Sequence, residues 1–138
     1  MPNLLRSSQK RHKKTRQQHA LETAEDYTEL IAHLIKLNGQ ARIKDIAKHL
    51  GITHVTAIKT VRRLARDGYL RTQNHKPIIL TRSGQALAKL SAERHQLLID
   101  FLIKIGVPSS IAEIDVEGIE HHISDKTVKV IRKFLGRY

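Results

Sequence analysis

The stretch Asp45-Ile46-Ala47-Lys48-His49-Leu50-Gly51-Ile52-Thr53-His54-Val55-Thr56-Ala57-Ile58 decides the fold. Apolar residues recur with helical spacing on both sides of Gly51, and glycine permits the tight turn between them. Thr53 then supplies a side-chain cap for the next helix. Small Ala47 lets the two helices cross closely, while Ile52, Val55 and Ile58 pin the second to the first. The pattern predicts helices over about 43–50 and 53–67, with Gly68 closing the second and Val55, Ile58, Val61 and Leu64 facing inward. An αα-hairpin would explain the helices alone. The turn chemistry, the surrounding basic charge and the segment that follows favour a helix-turn-helix.

Upstream, a helix is expected from a Thr23 cap, with Glu25 and Asp26 in its first turn where the helix dipole favours acids. Tyr27, Leu30, Ile31, Leu34 and Ile35 form its apolar stripe, and Asn38-Gly39 ends it. Downstream, Tyr69-Leu70-Arg71 and Ile78-Ile79-Leu80 flank Gln73-Asn74-His75-Lys76-Pro77 and read as a β-hairpin, the wing of a winged helix. A long helix is expected over about 82–105, stopped by Gly106. Another restarts at Pro108-Ser109 and breaks or bends near Asp115, and a last one runs over about 125–135, capped by Ser124 or Asp125. The fold class is mainly α with a small β-hairpin: an N-terminal winged helix-turn-helix followed by a helical metal-binding and dimerisation domain. The expected divisions are a basic, disordered tail over 1–21, a DNA-binding domain over 22–81, and a helical linker with the metal-binding and dimerisation domain over 82–138.

Composition narrows the function classes. The 138 residues suffice for one domain or two small modules, and aromatics at 4% are too few for a single-strand stacking platform. The absence of cysteine excludes disulfides, thiolate zinc sites and Fe–S clusters, and points to the cytoplasm. No apolar run approaches the roughly 20 residues that span a bilayer, so no membrane partner is expected. Net charge is +12 but unevenly spread. Eleven Lys or Arg lie between Arg42 and Lys89, opposed only by Asp45 and Asp67. Between Lys104 and Lys126 there is no Lys or Arg, yet Glu113, Asp115, Glu117, Glu120 and Asp125 gather there. One half is suited to phosphates; the other concentrates carboxylates that repel unless a cation neutralises them.

Double-stranded operator DNA is therefore the expected partner of the first half, with the helix after Thr53 entering the major groove. His54, Thr56, Ala57, Lys59, Thr60 and Arg63 are the positions not claimed by the core. Thr56, Lys59 and Thr60 are expected near base edges, and Arg62, Arg63, Arg66 and Lys76 on phosphates. The tail residues Arg6 and Lys10 to Arg16 read as a solvated arm, or as an arm that adds phosphate contacts.

In the second half the run Asp115-Val116-Glu117-Gly118-Ile119-Glu120-His121-His122 carries the chemistry. Glu117, Glu120 and His121 lie at i, i+3 and i+4, on one helix face. Asp26 and Glu29 form an i, i+3 pair on another helix, and His95 sits on the long helix between. Each has an ordinary explanation taken singly: dipole-favoured acids, a structural histidine, an exposed polar turn. Taken together, four carboxylates and two imidazoles without sulfur suit one or two hard-to-intermediate divalent cations, and lean toward Mn2+. His122, about 100° around the helix from His121, is not expected to ligate.

Ala24-Glu25-Asp26-Tyr27-Thr28-Glu29-Leu30-Ile31, Arg94-His95-Gln96-Leu97-Leu98 and the 115–122 run resemble the metal-dependent repressors of the diphtheria toxin repressor type, and among them the manganese transport regulators. The likeness spans about residues 23–135. It implies that Asp26, Glu29, His95, Glu117, Glu120 and His121 bind metal, that the chain is a homodimer joined through its C-terminal helices, and that it represses manganese-homeostasis genes when Mn2+ is plentiful. Iron-responsive relatives carry sulfur-containing residues where this chain has Asp26 and Glu117, so oxygen at both positions matches the manganese branch. One or two Mn2+ per subunit are expected, with Fe2+ or another divalent ion as the alternative. Binding through neutral imidazoles should weaken below pH ~6.5. The competing readings are an iron-responsive repressor and a metal-independent winged-helix regulator. No Glu-x-x-His, His-Glu-x-x-His, nucleophile–base pair or phosphate-binding glycine loop points to an enzyme or a small organic substrate.

Overall fold

The structure, a computed structural model, describes residues 2–137, with side chains described except at 2–6 and 12–15. Its elements in chain order are α1 (Pro2–Asn38), α2 (Ile43–Leu50), α3 (His54–Arg66), β1 (Leu70–Arg71), β2 (Ile79–Leu80), α4 (Arg82–Lys104), α5 (Ser109–Ile119) and α6 (Asp125–Phe134). Two compact units divide the chain, residues 1–89 and 90–138, with the division falling inside α4. The mainly helical fold with one hairpin is the expected class.

In the first unit, α2 and α3 are joined across Gly51, whose φ of 65° is left-handed and whose N–H closes α2 onto the Ala47 carbonyl. Thr53 caps α3 by accepting from the Thr56 N–H at 3.1 Å. At the other end of α2, the Asp45 carboxylate accepts from the Arg42 N–H at 3.2 Å. The core gathers Tyr27, Ile31 and Leu34 of α1, Ile46 of α2, Ala57, Val61 and Leu64 of α3, and Leu70, Ile78 and Leu80 of the hairpin. β1 and β2 pair antiparallel, Leu70 with Leu80 and Arg71 with Ile79. The Ile78 N–H donates to Ala41 O at 2.8 Å, anchoring the wing to the α1–α2 connection.

Three expectations are corrected here. α1 does not begin at Thr23: it runs from Pro2, and the Thr23 hydroxyl donates to His19 O at 2.9 Å from within the helix. Between Asn3 and Asn38 there is no Gly or Pro to interrupt it, and Pro2 occupies the first turn, where a missing N–H costs nothing. The backbone at 2–21 is thus helical rather than a disordered tail, while the side chains of Arg6 and of His12 to Thr15 lie outside those described. The second correction concerns α3, whose buried face is Ala57, Val61 and Leu64, with Ile58 half-buried and Val55 63% exposed. Finally, α5 continues through Asp115 to Ile119 without a break, held to its end by the Glu120 N–H on Val116 O.

In the second unit Leu97, Leu98, Ile99, Val116, Val128 and Ile131 form a separate core. Ser124 caps α6 by accepting from the Thr127 N–H at 3.2 Å. Phe101 and Phe134 meet edge to face, ring centroids 5.6 Å apart. Asp100 ties this unit's helix to the chain end. The Gln96 amide donates to it at 2.9 Å and the Arg137 guanidinium pairs with it at 2.7 Å. The Gln96 hydrogen bond lowers the Asp100 carboxyl most, burial opposes it, and the Arg137 hydrogen bond and charge add to the lowering, leaving the group below its ordinary 3.8. A lowered folded-state pKa contributes stability that is present above the unfolded value and disappears as pH falls through the folded one. Asp100→Asn should therefore lower the urea midpoint at pH 7, and the gap to the parent should close below about pH 3.8; a gap that persists into acid would show that the charge is not its cause.

Candidate DNA interface and metal centre

α3 projects its polar side chains because its inner face is taken by Ala57, Val61 and Leu64. His54, Thr56, Lys59, Arg62, Arg63 and Arg66 are exposed, and Thr60 is half-buried. Lys59, Thr60, Arg62, Arg63 and Arg66 line one shallow hollow. Lys76 is exposed on the wing. Ala57 is the exception among the expected DNA contacts. It is fully buried in the core, where a small residue lets α3 pack closely, and it has no surface to offer a base.

Sequence reasoning missed a second basic feature. A cleft of about 330 Å³ opens between the start of α2, α3 and the hairpin, lined among others by Arg42, Lys44, His54, Arg62, His75 and Lys76. The Arg42 guanidinium donates to His75 O at 3.3 Å, and His75 sits at the wing tip with φ 63°. Histidine is among the residues that tolerate this left-handed conformation. Arg42, Lys44 and His75 come from segments that no local pattern connects. The general basic excess between 42 and 89 was their only signal.

Asp26 and Glu29 stand at i, i+3 on α1, Asp26 exposed and Glu29 half-buried. Because α1 starts at Pro2, both lie mid-helix, and no acid occupies the first turn. A favourable dipole therefore cannot explain them. Glu25 beside them is 4% exposed, a burial that its position in the sequence did not announce.

In the second unit the expected residues His95, Glu120 and His121 come together. Glu120 follows the last residue of α5, its backbone still helical at φ −56° and ψ −29°. Its carboxylate, 4% exposed, accepts from His95 Nδ1 at 2.5 Å, while His121 Nε2 lies 3.3 Å from its other oxygen. Burying a carboxylate is costly unless compensating charge or hydrogen bonds meet it. Here both oxygens face imidazole nitrogens. Glu117, one turn earlier, is exposed and stands apart from these contacts, and His122 is exposed as well. Two nitrogens and a two-oxygen carboxylate, with no sulfur, form a donor set that fits a hard-to-intermediate divalent cation.

Comparison with known proteins places this geometry. Residues 19–78 match the family described as iron dependent repressor, N-terminal DNA binding domain, and residues 81–138 match the iron dependent repressor, metal binding and dimerisation domain. The chain thus belongs to the iron-dependent, diphtheria toxin repressor-like family of transcriptional regulators. Its relatives within the family include regulators named MntR and solved manganese regulators. It is 39% identical over 126 residues to the transcriptional regulator MntR of Escherichia coli O6:H1, covering 91% of this chain and 81% of that one. It is 46% identical over 100 residues to the HTH-type transcriptional regulator MntR of Listeria welshimeri, covering 72% and 70%. Among solved structures, a manganese-dependent transcriptional repressor in complex with manganese matches with a TM-score of 0.73 at 30% identity, over 82% of this chain and 52% of that one. The manganese regulator SloR matches with 0.71 at 25%, over 83% and 54%. The chain spans about half the length of those two solved chains. Among the described residues no helix is long and apolar enough to cross a membrane.

Proposed function

We propose that the chain is a Mn2+-responsive transcriptional repressor that binds operator DNA as a homodimer and controls manganese-homeostasis genes. The observation that carries this reading is the buried Glu120 carboxylate held between His95 and His121, in a chain similar to MntR transcriptional regulators and to a solved manganese-dependent repressor. Asp26, Glu29 and Glu117 are assigned to the same ligand set on their donor chemistry and on the family likeness. Bound Mn2+ supplies the positive charge that these carboxylates otherwise lack. His95, Glu120 and His121 hold their donors ready for it, and Lys59, Arg62, Arg63, Arg66 and Lys76 take DNA phosphates, with Thr56, Lys59 and Thr60 at base edges.

Dimerisation is supported by apolar side chains left outside the second unit's core. Ile111 and Ile114 share one face of α5, and Val130 and Phe134 one face of α6, all about half exposed or more. A second copy of the chain would cover such a face. A regulator that meets DNA works in the cytoplasm, and we assign the chain there, with no enzymatic role.

Titrating Mn2+ while following the fluorescence anisotropy of a duplex enriched from a random pool by the Mn2+-loaded chain tests the reading. DNA affinity should rise about 5- to 150-fold, the usual span of ligand coupling, and DNA should tighten Mn2+ binding by the same factor. Equal affinity with and without Mn2+ would leave a metal-independent regulator. A response to Fe2+ alone would move the chain to the iron-responsive branch.

A further inference from the structure

The first half of α1 is not accounted for by either half of the proposed function. The family match begins at residue 19, and the first α1 residue in the hydrophobic core is Ala24. Residues 2–23, 22 residues of helix, thus precede the first core residue, a rod on the order of 30 Å at 1.5 Å per residue. Residues 1–21 contain six Lys or Arg and no acid. Described side chains there are almost all exposed, Lys10, Arg11 and Arg16 among them, and none is buried. Arg11 reaches back to Ser7, hydrogen-bonding its carbonyl and hydroxyl at 3.4 Å.

From Ser7 to His19 every residue is polar, a stretch that gains nothing from packing, and the six like charges of residues 1–21 are self-repelling. What would stabilise such an element is a polyanion that releases its condensed counterions as the cations dock. An apolar stripe, which a membrane-surface helix needs, is missing from the described side chains between Ser7 and Ala20.

We propose that the N-terminal half of α1 is a second, sequence-independent DNA-binding element that engages duplex phosphates in addition to those met by α3 and the wing. The proposal rests on the DNA-binding reading of the first unit. Its signature is the salt dependence of affinity, since each phosphate contact contributes about 0.9 to the slope of log affinity against log salt.

The experiment measures binding of the full chain to a fluorescent random-sequence duplex between 50 and 200 mM salt. Lys10→Gln, Arg11→Gln and Arg16→Gln are introduced together, because Gln keeps the helix propensity of Lys and Arg while removing charge. The slope should flatten by up to ~2.7, and affinity should fall roughly tenfold or more at 0.1 M salt. Lys10→Arg with Arg11→Lys and Arg16→Lys should retain the parental slope. An unchanged slope in the Gln variant overturns the proposal, as does loss of binding in the charge-preserving one. Binding of the parent to anionic phospholipid vesicles, abolished by the Gln variant while its DNA slope stays parental, would assign the arm to membranes instead.

Arg62→Gln with Arg66→Gln on α3 separates this failure from failure of the underlying reading. If only the α3 variant weakens binding, the arm is not a DNA element. If only the arm variant does, α3 is not the reading helix. If neither does, both assignments fall.

Discussion

Glu120→Ala is expected to abolish the Mn2+ response of DNA binding. The parental gain of about 5- to 150-fold should shrink to within twofold of unity. The carboxylate it removes is the group on which both imidazoles converge, His95 at 2.5 Å and His121 at 3.3 Å. The substitution also empties a buried site, so loss of response must be separated from loss of fold. Glu120→Gln serves that purpose. It keeps the size of the side chain and one acceptor oxygen but removes the charge a cation needs, and it should lose the Mn2+ response with a near-parental melting temperature. His121→Ala tests the same cluster from the imidazole that follows Glu120 in the chain. Retention of the parental response by Glu120→Gln or His121→Ala, measured by anisotropy and by calorimetric Mn2+ titration, would show that the ligand assignment is wrong.

Gly84→Ala should be the most damaging methyl group in the first unit. A Cβ at Gly84 would sit 2.0 Å from the Tyr69 carbonyl oxygen and 3.0 Å from its carbon, with Leu80 Cδ2 at 3.3 Å. Flexible side chains can swing aside, but backbone cannot. The same carbonyl accepts from the Thr81 N–H at 3.0 Å, and the Thr81 hydroxyl donates to Gly68 O at 2.6 Å while accepting from the Gly84 N–H. Relieving the clash therefore means prising the start of α4 from the hairpin. Overpacking of this kind costs about 3 kcal/mol, on the order of 10 °C in melting temperature for a chain of this size. Gly118→Ala provides the control: nothing lies within 4 Å of its Cβ, so exchange within α5 should be neutral or stabilise by about 1 kcal/mol. A Gly84→Ala variant melting within about 2 °C of the parent would mean that the approach of α4 to β1 is looser than the structure has it.

The helix-turn-helix was legible because Gly51, Thr53 and Gly68 act locally, through backbone conformations and caps that need no knowledge of the rest of the chain. The inner face of α3 was legible only in part. Counting large apolar residues selects Val55 and Ile58, whereas the core uses Ala57, which as a small residue carries little hydrophobic weight in a periodicity. The same error placed Ala57 among the DNA contacts. The start of α1 was misread for a different reason. A threonine followed by acids resembles a cap, but Thr23 satisfies its hydroxyl on the preceding turn, and only the absence of a breaker upstream distinguished the two cases.

The metal centre was readable as residue types and spacing, and His95, Glu120 and His121 do meet. Glu117, Glu120 and His121 were grouped as three residues of one continuous helix. α5 instead ends at Ile119, so Glu120 and His121 leave it at its terminus while Glu117 remains on the helix surface. Burial of Glu120 could not be read locally, because it depends on α4, distant in sequence, which supplies His95.

The His95–Glu120–His121 cluster has one property that bears on when such a sensor can operate. Neither thiol nor thioether is among its donors, the chain holds no cysteine, and its one methionine is Met1. Peroxide converts thiolates to sulfenic acid and thioethers to sulfoxide, but carboxylates are outside that chemistry. A regulator built around this cluster offers peroxide no sulfur ligand to oxidise, so the thiol and thioether chemistry that disables sulfur-based metal sites has no target among its donors.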